Sequence, residues 1–87
     1  MLSPEAIAER GEAIYRNKFK EEYEKSHAGK FVAIEIDSEE AFLGSTPEEA
    51  IAAAQRARDG GLFHLIRVGS PGVYRVGYYA DRKRLAQ

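Results

Sequence analysis

Residues 29–50, GKFVAIEIDSEEAFLGSTPEEA, constrain the fold of this chain more than any other stretch. Residues 31–36 alternate with a period of two, so their even-numbered members, one Val and two Ile, form one apolar side of a strand. Residues 37–40, Asp-Ser-Glu-Glu, are typical of a turn, and residues 41–44 return as a short partner strand. The stretch therefore predicts an antiparallel β-hairpin.

Two segments carry the same pattern for the start of a helix. A hydroxyl residue precedes proline in both, Ser3 in one and Thr46 in the other. The hydroxyl oxygen caps the first turn, and proline at the first helical position loses no hydrogen bond, since that N–H has no partner within the helix. Glu49 lies where its carboxylate can reach back to the N–H of the cap residue. We therefore predict helices that begin at residues 4 and 47.

The first predicted helix runs from residue 4 to about Lys25 and is amphipathic. Its apolar residues recur at spacings of three, four and seven, and they are Ile7, Ile14, Tyr15, Phe19 and Tyr23. Gly11 lowers the helix propensity by about 1 kcal/mol relative to alanine, which favours a close packing contact at that position. The second helix should end at Gly60 and Gly61, and its inner face is expected to consist of Ala50, Ile51, Ala54 and Ala57.

A second hairpin follows the second helix. Residues 62–68 form a predicted strand, residues 69–72 (Gly-Ser-Pro-Gly) a turn, and residues 73–79 the last strand. A right-handed crossover through the second helix places the third strand beside the first. We therefore predict one α+β domain, residues 1–87, with the order helix-β-β-α-β-β. Its sheet has four antiparallel strands in the order 2-1-3-4, and the helices cover one face.

Composition restricts the class of protein. The chain has 87 residues, 44% of them hydrophobic and 31% charged, which is typical of a globular domain. It lacks cysteine, so disulfides, thiolate metal sites and cysteine nucleophiles are excluded. A domain of this size without such cross-links favours self-association, and we expect a homodimer. No apolar run approaches the ~20 residues of a membrane span, and the N-terminus does not resemble a signal peptide. We therefore expect a cytoplasmic protein that does not act at a membrane.

Charge is distributed unevenly along the chain. Residues 1–55 carry six Lys or Arg and twelve Asp or Glu, whereas residues 56–87 carry seven and two. The net charges of these two parts are −6 and +5. The basic part is suited to a phosphate or an acidic partner, although pairing with the acidic helices of the same molecule is the simpler interpretation.

The residues capable of chemistry do not form a catalytic or cofactor motif. His27 and His64 lack the spacing of paired metal ligands, and His64 is expected to be a partly buried, hydrogen-bonded histidine. Asp37, Glu39 and Glu40 fall in one turn, where an ordinary acidic turn is a better interpretation than a cation site. We assign no catalytic, cofactor-binding or metal-binding residue. An enzyme would need a second subunit to complete a site around Asp37 or His64.

The sheet face opposite the helices is the candidate binding surface. It is expected to expose aromatic side chains together with arginine, a combination suited to a protein partner. The candidate partner-binding residues are Phe63, Leu65, Arg67, Tyr74, Arg75 and Tyr78. The alternative is a nucleic-acid-binding protein that uses Tyr74, Tyr78, Arg82 and Lys83.

Several of these segments together resemble a group of small uncharacterised bacterial proteins. The shared features include the Gly-Lys-Phe-Val-Ala-Ile strand at residues 29–34, the short strand ending at Gly44, the helix start at residues 46–50 and the strand at residues 63–69. Residues 10–15 and 71–77 also match, so the resemblance covers nearly the whole chain. It implies a non-enzymatic, antitoxin-like or regulatory partner of a neighbouring gene product, and it implies no functional residues.

Overall fold

A computed structural model of the protein describes residues 3–69 and 78–79. Its secondary-structure elements, in chain order, are α1 (Pro4–Lys18), α2 (Lys20–Ser26), β1 (Phe31–Glu35), β2 (Glu40–Gly44), α3 (Pro47–Ala57), β3 (Phe63–Arg67) and the two-residue β4 (Tyr78–Tyr79). The protein is thus an α+β structure, as the sequence predicts.

Strand β1 lies in the middle of an antiparallel sheet. It pairs with β2 on one side and with β3 on the other, which gives the predicted order 2-1-3. Val32 lies opposite Leu43 on β2 and opposite Ile66 on β3. At the far side of β3, Tyr78–Tyr79 pairs with residues 63 and 64. Most of the predicted second hairpin, and with it the complete four-stranded order, lies outside the described residues.

Helices α1 and α3 pack on opposite faces of this sheet. On the first face, Ile7, Ile14 and Tyr15 of α1 share a buried cluster with strand residues that include Val32 and Ile66. On the second face, α3 covers a separate cluster, whose buried members are Ala33, Ala50, Ala54, Phe63 and Leu65. The prediction that the helices cover one face is therefore wrong. The second side of β1 is also buried, because the small Ala33 side chain leaves room for the alanines of α3.

The first predicted helix is interrupted at Phe19. The backbone of this residue has φ −127° and ψ −24°, outside the helical range, although its N–H still donates to the Tyr15 carbonyl at 2.9 Å. The prediction of one helix to about Lys25 is therefore wrong, and two helices span that length. Phe19 and Tyr23, with ring centroids 5.3 Å apart, pack at the margin of the first-face cluster. The apolar spacing therefore identifies the buried side of this segment but does not reveal the break in its helical backbone.

Both predicted helix starts are confirmed. Ser3 Oγ accepts a hydrogen bond from Ala6 N at 3.1 Å, and Thr46 Oγ1 accepts one from Glu49 N at 3.1 Å. The Glu49 carboxylate reaches back as expected, but it accepts from Ser45 N at 2.9 Å and not from the cap residue. At the other end, α3 stops at Ala57, before the predicted glycines, and Gly60 adopts a φ of +81° in the loop that follows.

Gly11 makes the close packing contact expected from the sequence. A Cβ atom built on it would overlap His64 Cβ and would lie 2.9 Å from His64 Cγ. Real Cβ atoms essentially never approach other atoms so closely. The absence of a side chain at residue 11 therefore allows α1 to lie directly against β3.

Candidate functional site

The predicted binding surface is not an exposed sheet face. Phe63 and Leu65 are both 0% exposed, because α3 packs over them. The prediction that these two side chains contact a partner is therefore wrong. Arg67, at the end of β3, is exposed, and its part in binding stays a prediction.

The remaining predicted binding residues lie at or beyond the margin of the described structure. Tyr78 belongs to β4, whose backbone lies opposite His64. Tyr74 and Arg75 fall outside the described residues, as do Arg82 and Lys83 of the nucleic-acid alternative. The nucleic-acid hypothesis therefore stays a prediction from sequence.

His64 occupies a buried position beneath α1. It is 0% exposed, and its Nε2 atom lies 3.5 Å from a carboxylate oxygen of Glu12. Gly11 lies against the side chain from the helix side. The expected burial is therefore confirmed, and it is complete. A substrate outside the protein cannot reach His64 through this packing, so the geometry favours a structural role for this histidine over a catalytic one.

The acidic turn between β1 and β2 is organised by Glu35. Glu35 is only 3% exposed. One of its carboxylate oxygens accepts hydrogen bonds from Asp37 N at 3.2 Å and from Ser38 N at 2.7 Å. Its other oxygen accepts from Leu62 N at 3.4 Å. Glu35 therefore joins the turn to the segment that enters β3, a link the sequence analysis missed because the two segments are distant in sequence.

Two other carboxylates at this turn, those of Glu39 and Glu40, contact basic side chains. Lys18 Nζ lies 3.1 Å from a carboxylate oxygen of Glu39, and Arg58 Nε donates to Glu40 at 2.8 Å. This hydrogen bond from Arg58 lowers the pKa of Glu40 below its usual value. Within the described residues, no group of three His, Cys, Asp or Glu side chains is arranged to hold a metal ion. Glu39 and Glu40 are therefore paired with basic residues of the same molecule, as the simpler interpretation of the sequence expects.

The outer edge of β2 is the candidate interaction site. Two hydrogen bonds establish which residues of β1 face β3: Ile36 N donates to Leu62 O at 3.2 Å, and Val68 N donates to Lys30 O at 2.9 Å. Inward and outward bonding alternate along an antiparallel strand, so the even-numbered residues of β1 bond to β3 and the odd-numbered ones bond to β2.

The same alternation assigns the backbone groups of β2. Phe42 and Gly44 lie opposite odd-numbered residues of β1 and bond inward. Ala41 and Leu43 therefore direct their N–H and C=O groups away from β1, to the outer edge of the sheet. Among residues 3–69 and 78–79, no strand pairs with this edge. The predicted order 2-1-3-4 also places β2 at an edge of the sheet, whereas the outward direction of the Ala41 and Leu43 backbone groups follows only from the register.

The side chains along the edge are largely apolar. Ala41, Phe42 and Leu43 are all partly exposed; Ala41 and Leu43 border the first-face cluster, and Phe42 borders the second-face cluster. Glu40 begins the strand, and Gly44 ends it against the backbone of α3 at Ala50. The outermost strand thus offers both free backbone groups and apolar side chains.

Comparisons with models of protein families, with curated proteins and with solved structures found no match to this chain. The group suggested by the Gly-Lys-Phe-Val-Ala-Ile strand therefore stays an expectation from sequence. None of the described helices is both long enough and apolar enough to cross a lipid bilayer. The interpretation of the site consequently depends on the geometry of β2 and its neighbours.

Proposed function

We propose that this protein is a non-enzymatic protein-interaction module that binds another polypeptide by strand addition to the outer edge of β2. The observation that supports this proposal is the outward direction of the Ala41 and Leu43 backbone groups, at an edge that no strand of residues 3–69 or 78–79 pairs with. An added strand bonds to such groups through its own main chain, and its side chains contact those of the edge strand.

The residues of β2 do little to block such pairing. Natural edge strands are commonly protected by lysine, proline, a bulge or an inward-pointing charge. The segment Ala41-Phe42-Leu43 contains none of these residues, and the only charge in the strand is Glu40 at its start, where Arg58 contacts it. Each backbone hydrogen bond contributes about 0.5–1.5 kcal/mol net, so the bonds of an added strand and its apolar contacts both contribute to the affinity of the complex.

The proposal includes a four-stranded sheet in the order 2-1-3-4, with β2 at one edge and β4 at the other. It also includes a cytoplasmic location and a regulatory or antitoxin-like role beside the product of a neighbouring gene. The complete burial of His64 makes this side chain inaccessible as a catalytic group. Arg67 remains available at the far end of β3 for a further contact.

Ala41→Pro tests strand addition directly. Proline removes the outward N–H of residue 41, and its ring fits an edge strand whose N–H does not bond within the sheet. Ala41→Ser is the matched control, since it changes the side chain and keeps the N–H. We expect Ala41→Ser to bind the product of an adjacent gene in size-exclusion chromatography with light scattering, and Ala41→Pro to lose the complex.

Circular dichroism melting shows whether the two variants are equally folded. A complex that persists in folded Ala41→Pro would refute strand addition at this edge. Failure of the unmodified chain to associate with any polypeptide, itself included, would refute the interaction function as a whole.

A further inference from the structure

The geometry of β2 indicates which strand pairs with its outer edge. We infer that it is β2 of a second copy of this chain, antiparallel, with the two-fold axis at Phe42. This inference rests on the proposed strand addition and specifies its partner. The result is a symmetric dimer in which the two sheets join into one continuous sheet.

The bonding pattern of β2 is self-complementary. Ala41 and Leu43 are the outward-bonding residues, and an axis at Phe42 places Ala41 opposite Leu43 of the second copy. Both of these pairs are then hydrogen-bonded pairs, in which each residue exchanges N–H and C=O with its partner. A two-fold axis generates the second pair from the first, so one strand supplies both sides of the ladder.

The side chains agree with the same register. The small Ala41 meets the larger Leu43 of the second copy on the first face, and Phe42 meets its own copy on the second face. Phe42 then occupies a non-hydrogen-bonded pair, where side chains approach most closely and aromatic pairs contribute roughly 0.2–1 kcal/mol. Glu40 lies opposite Gly44 of the second copy, so no two carboxylates oppose each other. In this register the side chains of Glu-Ala-Phe-Leu-Gly are therefore compatible with those of a second, antiparallel copy of the same strand.

Charge at the two ends of β2 also favours this partner. Glu39, just before the strand, lies opposite Ser45 of the second copy in this register. Lys30 Nζ donates to Ser45 Oγ at 3.1 Å, so the dimer brings a lysine ammonium close to a Glu39 carboxylate that is 40% exposed. Within its own chain Glu39 also contacts Arg10 and Lys18. The Glu49 carboxylate also contacts Ser45, accepting from its N–H at 2.9 Å.

Engineered cysteines test the partner and the register together. The chain has no cysteine, so a single introduced thiol reacts only with its own copy. At an axis through residue 42, the two Cα atoms of a non-hydrogen-bonded pair are about 4.5 Å apart, which is within the range for a disulfide. Under mild oxidation we expect Phe42→Cys to form a covalent dimer with twice the 9.7 kDa mass of one chain.

Ala41→Cys and Leu43→Cys are the matched controls. In the proposed register, each of these residues is two positions from its own copy along the strand, which exceeds the roughly 7 Å limit for a disulfide without backbone movement. Cross-linking of Ala41→Cys or Leu43→Cys in place of Phe42→Cys would refute the register. Sedimentation equilibrium of the cysteine-free chain provides the second measurement, since it does not depend on how well a variant folds.

Different results would contradict the dimer and the proposed strand addition. We expect the unmodified chain to sediment as a dimer and Ala41→Pro to sediment as a monomer. A chain that stays monomeric at all concentrations refutes the dimer, whereas strand addition is then judged by whether Ala41→Pro loses a complex with a different protein. A dimer that persists in folded Ala41→Pro refutes the dimer through β2, because it assembles without this edge, and strand addition is again judged by whether Ala41→Pro loses a complex with a different protein.

Discussion

Gly11→Ala is expected to destabilise the protein although alanine is the better helix former. The added Cβ would overlap His64 Cβ and lie 2.9 and 3.0 Å from His64 Cγ and Cδ2. The obstructing Cβ is attached directly to the backbone of β3, so it cannot rotate away as the end of a long side chain can. Relief requires α1 to move away from the sheet, which opens the packing around the first-face cluster.

Two opposing free energies determine the size of the effect. Alanine gains about 1 kcal/mol over glycine in a helix interior. Overpacking a buried contact costs about 1–3 kcal/mol, and a contact between a Cβ atom and a strand lies at the upper end of that range. We therefore expect a net loss of about 2 kcal/mol in the free energy of unfolding.

Urea unfolding followed by circular dichroism measures this loss. For a domain of this size, 1 kcal/mol corresponds to about 4–8 °C in Tm, so we expect a decrease of roughly 8–16 °C. Asn17→Ala is the control, because Asn17 is exposed on α1 and reports helix propensity without packing. We expect that control to raise stability by up to about 0.6 kcal/mol.

A second background separates the clash from other effects. His64→Ala removes the Cγ and Cδ2 atoms and keeps the Cβ, so Gly11→Ala should cost less in that background than in the unmodified chain. A Gly11→Ala protein as stable as the unmodified one, or more stable, would refute the argument that residue 11 must lack a side chain.

Two further predictions concern buried polar groups. Glu35→Gln is expected to lower the free energy of unfolding by about 1–3 kcal/mol, because the amide NH₂ replaces one carboxylate oxygen and cannot accept a hydrogen bond, so either the turn N–H groups or Leu62 N loses its acceptor. Urea unfolding of Glu35→Gln beside the exposed Glu48→Gln checks this, and equal stability of the two would contradict it. Burial, with smaller contributions from Glu24 and Tyr23, raises the pKa of Tyr15. The neutral Tyr15 side chain therefore contributes its full stabilisation below about pH 10, and this stabilisation is lost as the pH rises through the folded-state pKa. In thermal melts between about pH 9 and pH 12, a range around the usual tyrosine pKa, Tyr15→Phe should therefore lose less stability than the unmodified chain. An equal loss of stability at alkaline pH in the two proteins would contradict the assignment of this loss to Tyr15.

The parts of the fold that depend on residues close together in the sequence were predictable from sequence. The starts of α1 and α3 follow from a hydroxyl residue before proline, and the β1–β2 hairpin follows from alternation and an acidic turn. Gly11 inside α1 favoured a close packing contact, but only the structure identifies His64 as the residue it packs against. The interruption at Phe19 was not, since the apolar spacing continues through it and only the backbone changes.

The candidate site could not be predicted in the same way. Alternation along β3 separates Phe63 and Leu65 from His64 and Ile66, but it does not indicate which side a helix will cover. That choice depends on where α3 packs after the crossover, and it buries the residues that sequence favours for a partner. The outward backbone groups of Ala41 and Leu43 carry no sequence signal, since every residue except proline has them.

The sequence by itself determined the helix starts, the hairpin, the α+β class and the strand order 2-1-3, because these depend on local backbone preferences, side-chain periodicity and the handedness of the crossover. Only the tertiary structure decided that α1 and α3 cover opposite faces and that Gly11 packs against His64. These features depend on how separate elements bury their apolar surfaces against one another.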